Sequence, residues 1–250
     1  MPPPKRVEQT DAIFEQVKKV NEQADSAGDT LRLSLDAKAM VNVGPFSRRG
    51  RSRTGTEAAD HDFQPEATLT PFGIFLPEHD DLTLYMARSK VTSDFIADRL
   101  EDWWESHRDR FPGVTRLVLN LDNGPENHSR RTQFLKRMVE FAREHRLDIE
   151  LAYYPPYHSK YNPIERCWGI LELHWNGALL DSVEAVMGYA GSMTWKGGHP
   201  EVVLVEAEYS KGVKLGREEM EALESVITRL PALEKWFVSI PGRPKERRAS

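Results

Sequence analysis

The order of predicted secondary-structure elements constrains the fold of this chain more than any single motif does. Short strands are predicted near residues 31–36, 68–76 and 82–87, followed by strands at 114–121 and 148–153 that alternate with helices. Three consecutive short strands favour an antiparallel meander, whereas strands separated by helices favour parallel crossovers. A mixed five-stranded sheet flanked by helices satisfies both requirements, so the chain is predicted to be an α/β protein.

Helices are predicted where apolar side chains recur every three or four residues. They lie at 11–24, from Thr92 or Ser93 to beyond Trp104, at 129–145, from Ile164 to about Trp175, near 182–194 and near 216–229. A further strand is predicted near 201–206. These elements predict an N-terminal helical segment (1–30), a central α/β domain (31–178), a C-terminal α/β extension (179–240) and a basic disordered tail (241–250).

Composition argues against membrane-spanning, secreted and zinc-cluster proteins. No uncharged stretch approaches the roughly 18 to 20 apolar residues that span a bilayer, and the N-terminus lacks the apolar segment of a secretory signal. Cys167 is the single cysteine, which excludes an intramolecular disulfide and a multi-cysteine zinc site. The 39% of hydrophobic residues is still enough to build a core. We therefore expect a soluble, cytoplasmic protein.

Charge is unevenly distributed along the chain. A net charge of −5 by itself argues against a nucleic-acid partner, but phosphate contacts depend on local clusters rather than on the sum. Basic residues gather in the loop 44–66, along the helix at 129–145, and in the tail 243–248, and Lys160 precedes the helix at Ile164. The residues predicted to contact DNA phosphates are Arg48, Arg49, Arg51, Arg53, Arg130, Arg131 and Lys160. A solvated surface is the alternative interpretation of each cluster.

Three carboxylates occupy positions that suit a metal centre. Asp36 ends the first predicted strand, Asp122 ends the fourth, and Glu165 lies in the first turn of the helix after Pro163. Cleavage of a phosphodiester needs an activated nucleophile and a stabilised leaving oxygen, and two divalent cations about 4 Å apart can provide both. Mg²⁺ and Mn²⁺ prefer hard oxygen ligands such as these. The three residues are therefore predicted to be both the metal ligands and the catalytic residues.

Each of these carboxylates also has a simpler explanation. An aspartate at the end of a strand commonly forms a turn or caps a helix, and Asp122 begins the turn-like sequence Asp-Asn-Gly-Pro. Glu165 follows Asn162 by three residues, with Pro163 between them, which is the pattern of a capping box. The catalytic hypothesis therefore rests on the joint occurrence of the three residues.

Other polar residues are weaker candidates. Four are predicted as accessory groups, either orienting substrate or merely capping turns and facing solvent: His61, Asp62, Asn123 and His158. Cys167 is predicted to be structural. Trp168 belongs to the apolar stripe of its helix and is predicted to lie in the core.

Five short segments carry a family resemblance: His61–Phe63, Pro71–Phe75, Asp102–Trp104, Leu121–Gly124 and Pro155–Glu165. They resemble the Rhodopirellula-type transposase DDE domain family of bacterial insertion sequences, and the last segment is the most specific. The resemblance runs from about residue 10 to about residue 240. It implies a ribonuclease-H-like fold in which 31–178 is the catalytic domain, and it places the family's triad on Asp36, Asp122 and Glu165.

The resemblance also implies an activity and its partners. The activity is metal-dependent cleavage and strand transfer of DNA with two Mg²⁺ or Mn²⁺ ions, and the partners are the insertion-sequence ends and the target DNA. A homo-oligomer on DNA is left open, and the expected location is the bacterial nucleoid. Transposases of this kind normally carry a helix-turn-helix region upstream. Because one predicted helix precedes the first strand here, that region is expected to be absent or separately encoded.

Two alternative functions remain open from the sequence. One is a ribonuclease-H-like nuclease that hydrolyses DNA but does not join strands. The other is an inactive, truncated remnant that binds DNA or its full-length relative and acts as a regulator. The complete set of three carboxylates favours an active enzyme, whereas the missing upstream region favours the remnant.

Overall fold

Strands and helices alternate along the chain and form two compact units. The computed structural model describes residues 9–46, 64–155 and 158–243. Its strands are β1 (Thr30–Ala37), β2 (Val41–Val43), β3 (Ala67–Leu76), β4 (Asp81–Ala87), β5 (Arg116–Leu121), β6 (Asp148–Tyr153), β7 (Glu201–Val205), β8 (Thr228–Arg229) and β9 (Phe237–Ile240). Its α-helices are α1 (Thr10–Ser26), α2 (Ser93–His107), α3 (Thr132–His145), α4 (Glu165–His174), α5 (Val183–Ser192) and α6 (Arg217–Val226). The first unit comprises Met1–Leu35, Thr92–Asn162 and Ser210–Ser250, and the second comprises Asp36–Val91 and Pro163–Tyr209.

The first unit contains a mixed sheet in the order β1-β5-β6-β9-β8, in which β1 takes part as far as Leu35. β1, β5 and β6 are parallel, with Leu35 paired to Leu121 and Leu121 to Tyr153. The helix α3 supplies the crossover that a parallel β5–β6 pair requires. β9 joins β6 in the antiparallel sense. α1 packs on β5 and β6 through its buried stripe of Ile13, Val17, Val20 and Ala24.

The second unit contains an antiparallel β3–β4 hairpin, with β2 paired to β3 and β7 parallel to β4. Its core joins residues of these strands to the buried faces of α4 and α5. Gly73 on β3 allows α4 to pack closely. A Cβ added there would lie 2.6 Å from Cδ1 of Ile164 and 2.9 Å from Cη2 of Trp168. The absence of a side chain at Gly73 therefore sets how near α4 lies to β3.

The predicted α/β class with a mixed sheet is confirmed, and β6 coincides with its predicted bounds. Three strands, β2, β8 and β9, have no predicted counterpart, because segments of two to four residues carry no periodic signal. The segment 179–240 contributes strands to both units, and the four predicted region boundaries stay predictions. Of the predicted tail, 244–250 lies outside the described residues. No helix in the described part of the chain has the length and apolarity to cross a bilayer.

Candidate active site

Asp36 is a buried carboxylate at the end of a buried strand. The first seven residues of β1 are all buried, and Asp36 itself is 8% exposed. Its Oδ2 accepts a 2.8 Å hydrogen bond from Nε1 of Trp168 on α4. Since Asp36 lies within β1, it is neither a turn residue nor a helix cap. A carboxylate that is buried in this way needs donors or cations around it to remain charged.

The structure contradicts the predicted capping box at Glu165. The helix α4 begins at Glu165, its N-cap is Ile164, and no side-chain capping hydrogen bond is present. The side chain of Asn162 is used elsewhere: its Oδ1 accepts from Oγ of Ser34 at 2.5 Å, and its Nδ2 donates to the carbonyl of Leu35 at 3.2 Å. These two bonds attach the residue to β1, so the amide is not available to the helix. The simplest non-catalytic explanation of Glu165 is thereby removed.

Glu165 and Asp36 share one side of the second unit. Glu165 is half-buried and precedes Trp168 by three residues, so the two side chains lie on the same face of α4. A second contact follows along the same helix, where Nζ of Lys38 lies 2.9 Å from Oε2 of Glu172. The segment from Asp36 to Lys38 therefore runs beside α4, with Trp168 and Glu172 as the points of contact.

Asp122 lies in the first unit, directly after β5. Its Oδ1 accepts a 2.8 Å hydrogen bond from Nδ2 of Asn127, and the carbonyl of Asn127 accepts one of 2.7 Å from the hydroxyl of Tyr153. Burial raises the pKa of Tyr153 well above its ordinary value, so this hydroxyl stays a neutral donor. Gly124 allows the loop to pass close to this carboxylate, because a Cβ there would lie only 3.2 Å from both carboxylate oxygens of Asp122. The loop therefore holds the Asp122 carboxylate in a defined position.

The residues present suit a divalent metal ion in their chemistry. Asp36, Asp122 and Glu165 offer the hard oxygen atoms that Mg²⁺ and Mn²⁺ prefer. No side chain of the described residues donates a hydrogen bond to Oδ2 of Asp122, which leaves that atom available as a ligand. Asp122 belongs to the first unit and the other two residues to the second, so the convergence of all three carboxylates stays a prediction.

The predicted DNA contacts are only partly described. Arg48, Arg49, Arg51, Arg53, His61 and Asp62 lie outside the described residues. Arg130 and Lys160 are exposed, whereas the guanidinium of Arg131 lies 3.1 Å from Oε2 of Glu126 and also donates to Ser93. Burial, together with the nearby Arg130 and Arg131, lowers the pKa of His128. Arg130 and Lys160 are therefore the members of this set that present their charge to solvent.

The accessory candidates differ in exposure, and two hydrogen bonds of the candidate site were not predicted. Asn123 is exposed, whereas His158 is buried at 9% exposure. Nothing in the sequence predicts the hydrogen bonds of Trp168 to Asp36 and of Asn127 to Asp122. The only indication is that Trp168 lies shortly after Glu165 and Asn127 shortly after Asp122. Cys167 is fully buried, and burial raises the pKa of its thiol to about 12, so it is no nucleophile at neutral pH.

A separate group of metal-ligating side chains lies in the described part of the first unit. Ligand atoms of Glu101, Glu105 and His145 all lie within 4.8 Å of one another. Nε2 of His145 is 2.6 Å from Glu101, its Nδ1 is 3.6 Å from Glu105, and Glu105 also pairs with Arg108 at 3.0 Å. Ion pairs and hydrogen bonds between α2 and α3 account for this group without an ion.

Comparison with known proteins gives one family and one fold. The family model for the Rhodopirellula transposase DDE domain matches residues 2–242 of this chain. The solved structure titled Mos1 transposase paired-end complex with left transposon end is 11% identical, with a TM-score of 0.50, and covers 75% of this chain and 55% of that one. At this identity the likeness shows the fold alone, which is ribonuclease-H-like.

Two further solved structures have lower scores. The Mos1 mariner paired end complex with Mn has a TM-score of 0.49 at 11% identity, covering 75% of this chain and 55% of that one. The Mos1 Strand Transfer Complex has a TM-score of 0.45 at 10% identity, covering 74% and 54%. This chain thus spans about half the length of the Mos1 chains. No curated protein matches it.

Proposed function

Because the chain belongs to the Rhodopirellula transposase DDE domain family, we propose that it is the catalytic domain of a transposase that cuts DNA and joins DNA strands. Its catalytic residues are Asp36, Asp122 and Glu165, which hold two Mg²⁺ or Mn²⁺ ions. Its partners are the ends of an insertion sequence and a target duplex.

The hydrogen bond from Trp168 to Asp36 is the observation that carries this proposal. It joins the carboxylate at the end of β1 to the first turns of α4, the helix that begins with Glu165. Long helical side chains lean toward the N-terminus of their helix, so Trp168 bonds Asp36 on the side where Glu165 lies. With the capping role of Glu165 removed, metal ligation is the function that this half-buried carboxylate best fits.

The pairing of β1 with β5 supports including Asp122. In the first unit Leu35 is paired with Leu121 in parallel register. Asp36 follows Leu35 on β1, and Asp122 follows Leu121 directly after β5. Residues that follow a registered pair on parallel neighbouring strands lie at the same end of that pair. We therefore propose that Asp36 and Asp122 provide ligands to the same metal centre, which Glu165 completes.

Each group of residues at the candidate site would have a distinct role in the reaction. Bound divalent ions lower the pKa of water and stabilise the charge that develops on the attacking and leaving oxygens. Asp36, Asp122 and Glu165 hold these ions at fixed positions, so little reorganisation is needed during the reaction. Trp168 keeps one oxygen of Asp36 engaged, and Asn127 keeps one oxygen of Asp122 engaged. Exposed basic residues, among them Arg130 and Lys160, position the phosphate backbone without reading its sequence.

A strand-transfer assay with pre-cleaved ends of the element, a target duplex and Mn²⁺ tests the proposal. Asp36→Asn, Asp122→Asn and Glu165→Gln should each reduce cleavage and joining by at least about a hundredfold. Glu172→Gln is the matched control, because Glu172 lies on the same helix and its carboxylate pairs with Lys38. It should retain activity.

Three outcomes would contradict the proposal in different ways. Cleavage without joining would identify a nuclease. DNA binding without either reaction, in the unmodified protein with Mg²⁺ or Mn²⁺, would identify an inactive remnant. Undiminished activity of Glu165→Gln, with Glu172→Gln also active, would remove Glu165 from the catalytic set.

A further inference from the structure

A cluster of three rings lies just before α4, within the first unit. The ring of Tyr161 is 53% exposed, meets Phe14 edge-on at 4.9 Å between centroids, and is stacked with His158 at 6.1 Å. Phe14 also meets His158 edge-on at 5.4 Å. His158 is buried, Phe14 is half-buried and Tyr161 is exposed. The cluster is therefore a supported ring that faces solvent rather than an isolated surface tyrosine, which would need no explanation.

Hydrogen bonds hold the backbone that carries this ring. Ser159–Tyr161 forms a short 3-10 helix in which the amide of Tyr161 donates to the carbonyl of His158 at 3.0 Å. The next residue, Asn162, is bonded to Ser34 and to the carbonyl of Leu35 on β1. Tyr161 is thus anchored at the end of β1, where Leu35 is followed in sequence by Asp36. A rigid aromatic ring loses little conformational entropy when a ligand covers it.

A cation adjoins the ring. Nζ of Lys160 lies 5.2 Å from the centroid of Tyr161, and the Lys160 side chain is exposed. An aromatic face beside a flexible cation is the combination that binds single-stranded nucleic acid, since bases stack on the ring and the ammonium contacts the backbone.

We propose that Tyr161 is a platform on which an unpaired nucleobase stacks beside the scissile phosphodiester, with Lys160 at the adjoining phosphate. The base takes the place of the ammonium over the ring, and the ammonium moves to the phosphate. The inference rests on the proposed function, because it takes DNA as the ligand and the end of β1 as the place of the reaction. It adds a preference for unstacked over fully paired DNA.

The test compares binding of a blunt duplex with binding of the same duplex carrying a short single-stranded overhang that contains 2-aminopurine. The unmodified protein should prefer the overhang and change the 2-aminopurine fluorescence. Tyr161→Leu keeps an apolar contact with Phe14 but removes the π-face, and should weaken overhang binding roughly tenfold to a hundredfold. Its affinity for the blunt duplex should stay unchanged. Tyr161→Phe should retain the preference.

Two further variants complete the experiment. Tyr189→Leu is the matched control, because Tyr189 is also an exposed tyrosine beside a histidine but lies on α5. It should behave as the unmodified protein does. Lys160→Ala should weaken binding of the duplex with the overhang more than binding of the blunt duplex, and should reduce the salt dependence of overhang binding by about one unit of slope.

The outcomes separate this inference from the proposed function. Retained overhang preference in Tyr161→Leu, or no preference in the unmodified protein, would overturn the platform while leaving the transposase proposal intact. Equal loss of preference in Tyr189→Leu would also overturn it. Failure of the unmodified protein to bind either duplex would instead count against the proposed function. A melting temperature for each variant shows whether it is folded.

Discussion

The indole N–H of Trp168 donates a 2.8 Å hydrogen bond to Oδ2 of Asp36, and both residues are buried. A hydrogen bond to a buried charged group contributes more than a neutral one because the group has little water to replace the donor. We expect Trp168→Phe to lower the free energy of unfolding by about 1.5 to 3 kcal/mol. Urea unfolding monitored by circular dichroism would measure it.

The same variant should affect metal binding if Asp36 is a ligand. Loss of a partner that orients a metal ligand typically weakens metal affinity by about tenfold to a hundredfold. We expect Trp168→Phe to raise the Mn²⁺ concentration needed for half-maximal protection against unfolding by this factor. Trp175→Phe is the matched control, since Trp175 is also buried but follows the last residue of α4, away from the helix start. An equal shift in Trp175→Phe would show that the effect is merely structural.

Replacing Gly73 or Gly169 with alanine should change the free energy of unfolding in opposite directions. At Gly73 the new Cβ would lie 2.6 Å from Cδ1 of Ile164 and 2.9 Å from Cη2 of Trp168, so these side chains or α4 itself must shift, at a cost of about 1 to 3 kcal/mol. At Gly169, on the exposed face of α4, the added Cβ would meet no atom of the described residues within 4 Å, apart from its chain neighbours and the backbone of its own helix. There the substitution should stabilise by about 0.4 to 1 kcal/mol. Thermal unfolding of the two variants checks both signs, and a neutral Gly73→Ala would contradict the close packing.

Cys167 should make the protein less stable at alkaline pH. Burial raises the pKa of its thiol from 9.0 to about 12 in the folded protein. Between these values the unfolded chain loses the proton and the folded protein keeps it. The free energy of unfolding is therefore unaffected by this thiol below pH 9 and falls as pH rises toward 12. Each pH unit in that window costs about 1.4 kcal/mol from this residue.

Cys167→Ala should flatten that dependence. Urea unfolding of both proteins across the window would measure the difference, and tyrosines that ionise in the same range contribute equally to both. In the unmodified protein the thiol should also react with a disulfide reagent at neutral pH only after unfolding. Rapid reaction of the folded protein would show that the thiol is accessible.

The arginine cluster should contribute nonspecific binding energy. Arg48, Arg49, Arg51 and Arg53 fall within six residues of one another in the sequence. Replacing all four with alanine should weaken binding to unrelated duplexes alike and reduce the slope of log K against log salt by roughly one unit for each phosphate that is no longer neutralised. Fluorescence anisotropy at several salt concentrations would measure this slope. An unchanged slope would identify the cluster as a solvated surface.

Local patterns in the sequence were sufficient to predict most regular elements. The alternation of Leu31, Leu33 and Leu35 predicts β1, and the stripe from Ile13 to Ala24 predicts α1, because burial of one face imposes a period on each element. The same patterns place Asp36 and Asp122 at or just after strand ends. β8 and β9 escaped prediction because a two- or four-residue strand is defined by its long-range partner, not by its own period.

The use made of each polar side chain was decided only by the tertiary structure. In sequence, Asn162 and Glu165 have the spacing of a capping box. In the folded chain, however, the side chain of Asn162 forms hydrogen bonds with Ser34 and Leu35, more than a hundred residues away. Trp168 is correctly predicted to be buried, yet its bond to Asp36 depends on the depth at which α4 packs over Gly73. Apolar periodicity determines which face is buried, whereas a hydrogen bond requires two atoms to meet within about 3 Å. For partners this distant in the chain, that distance is set by the packing of several elements at once.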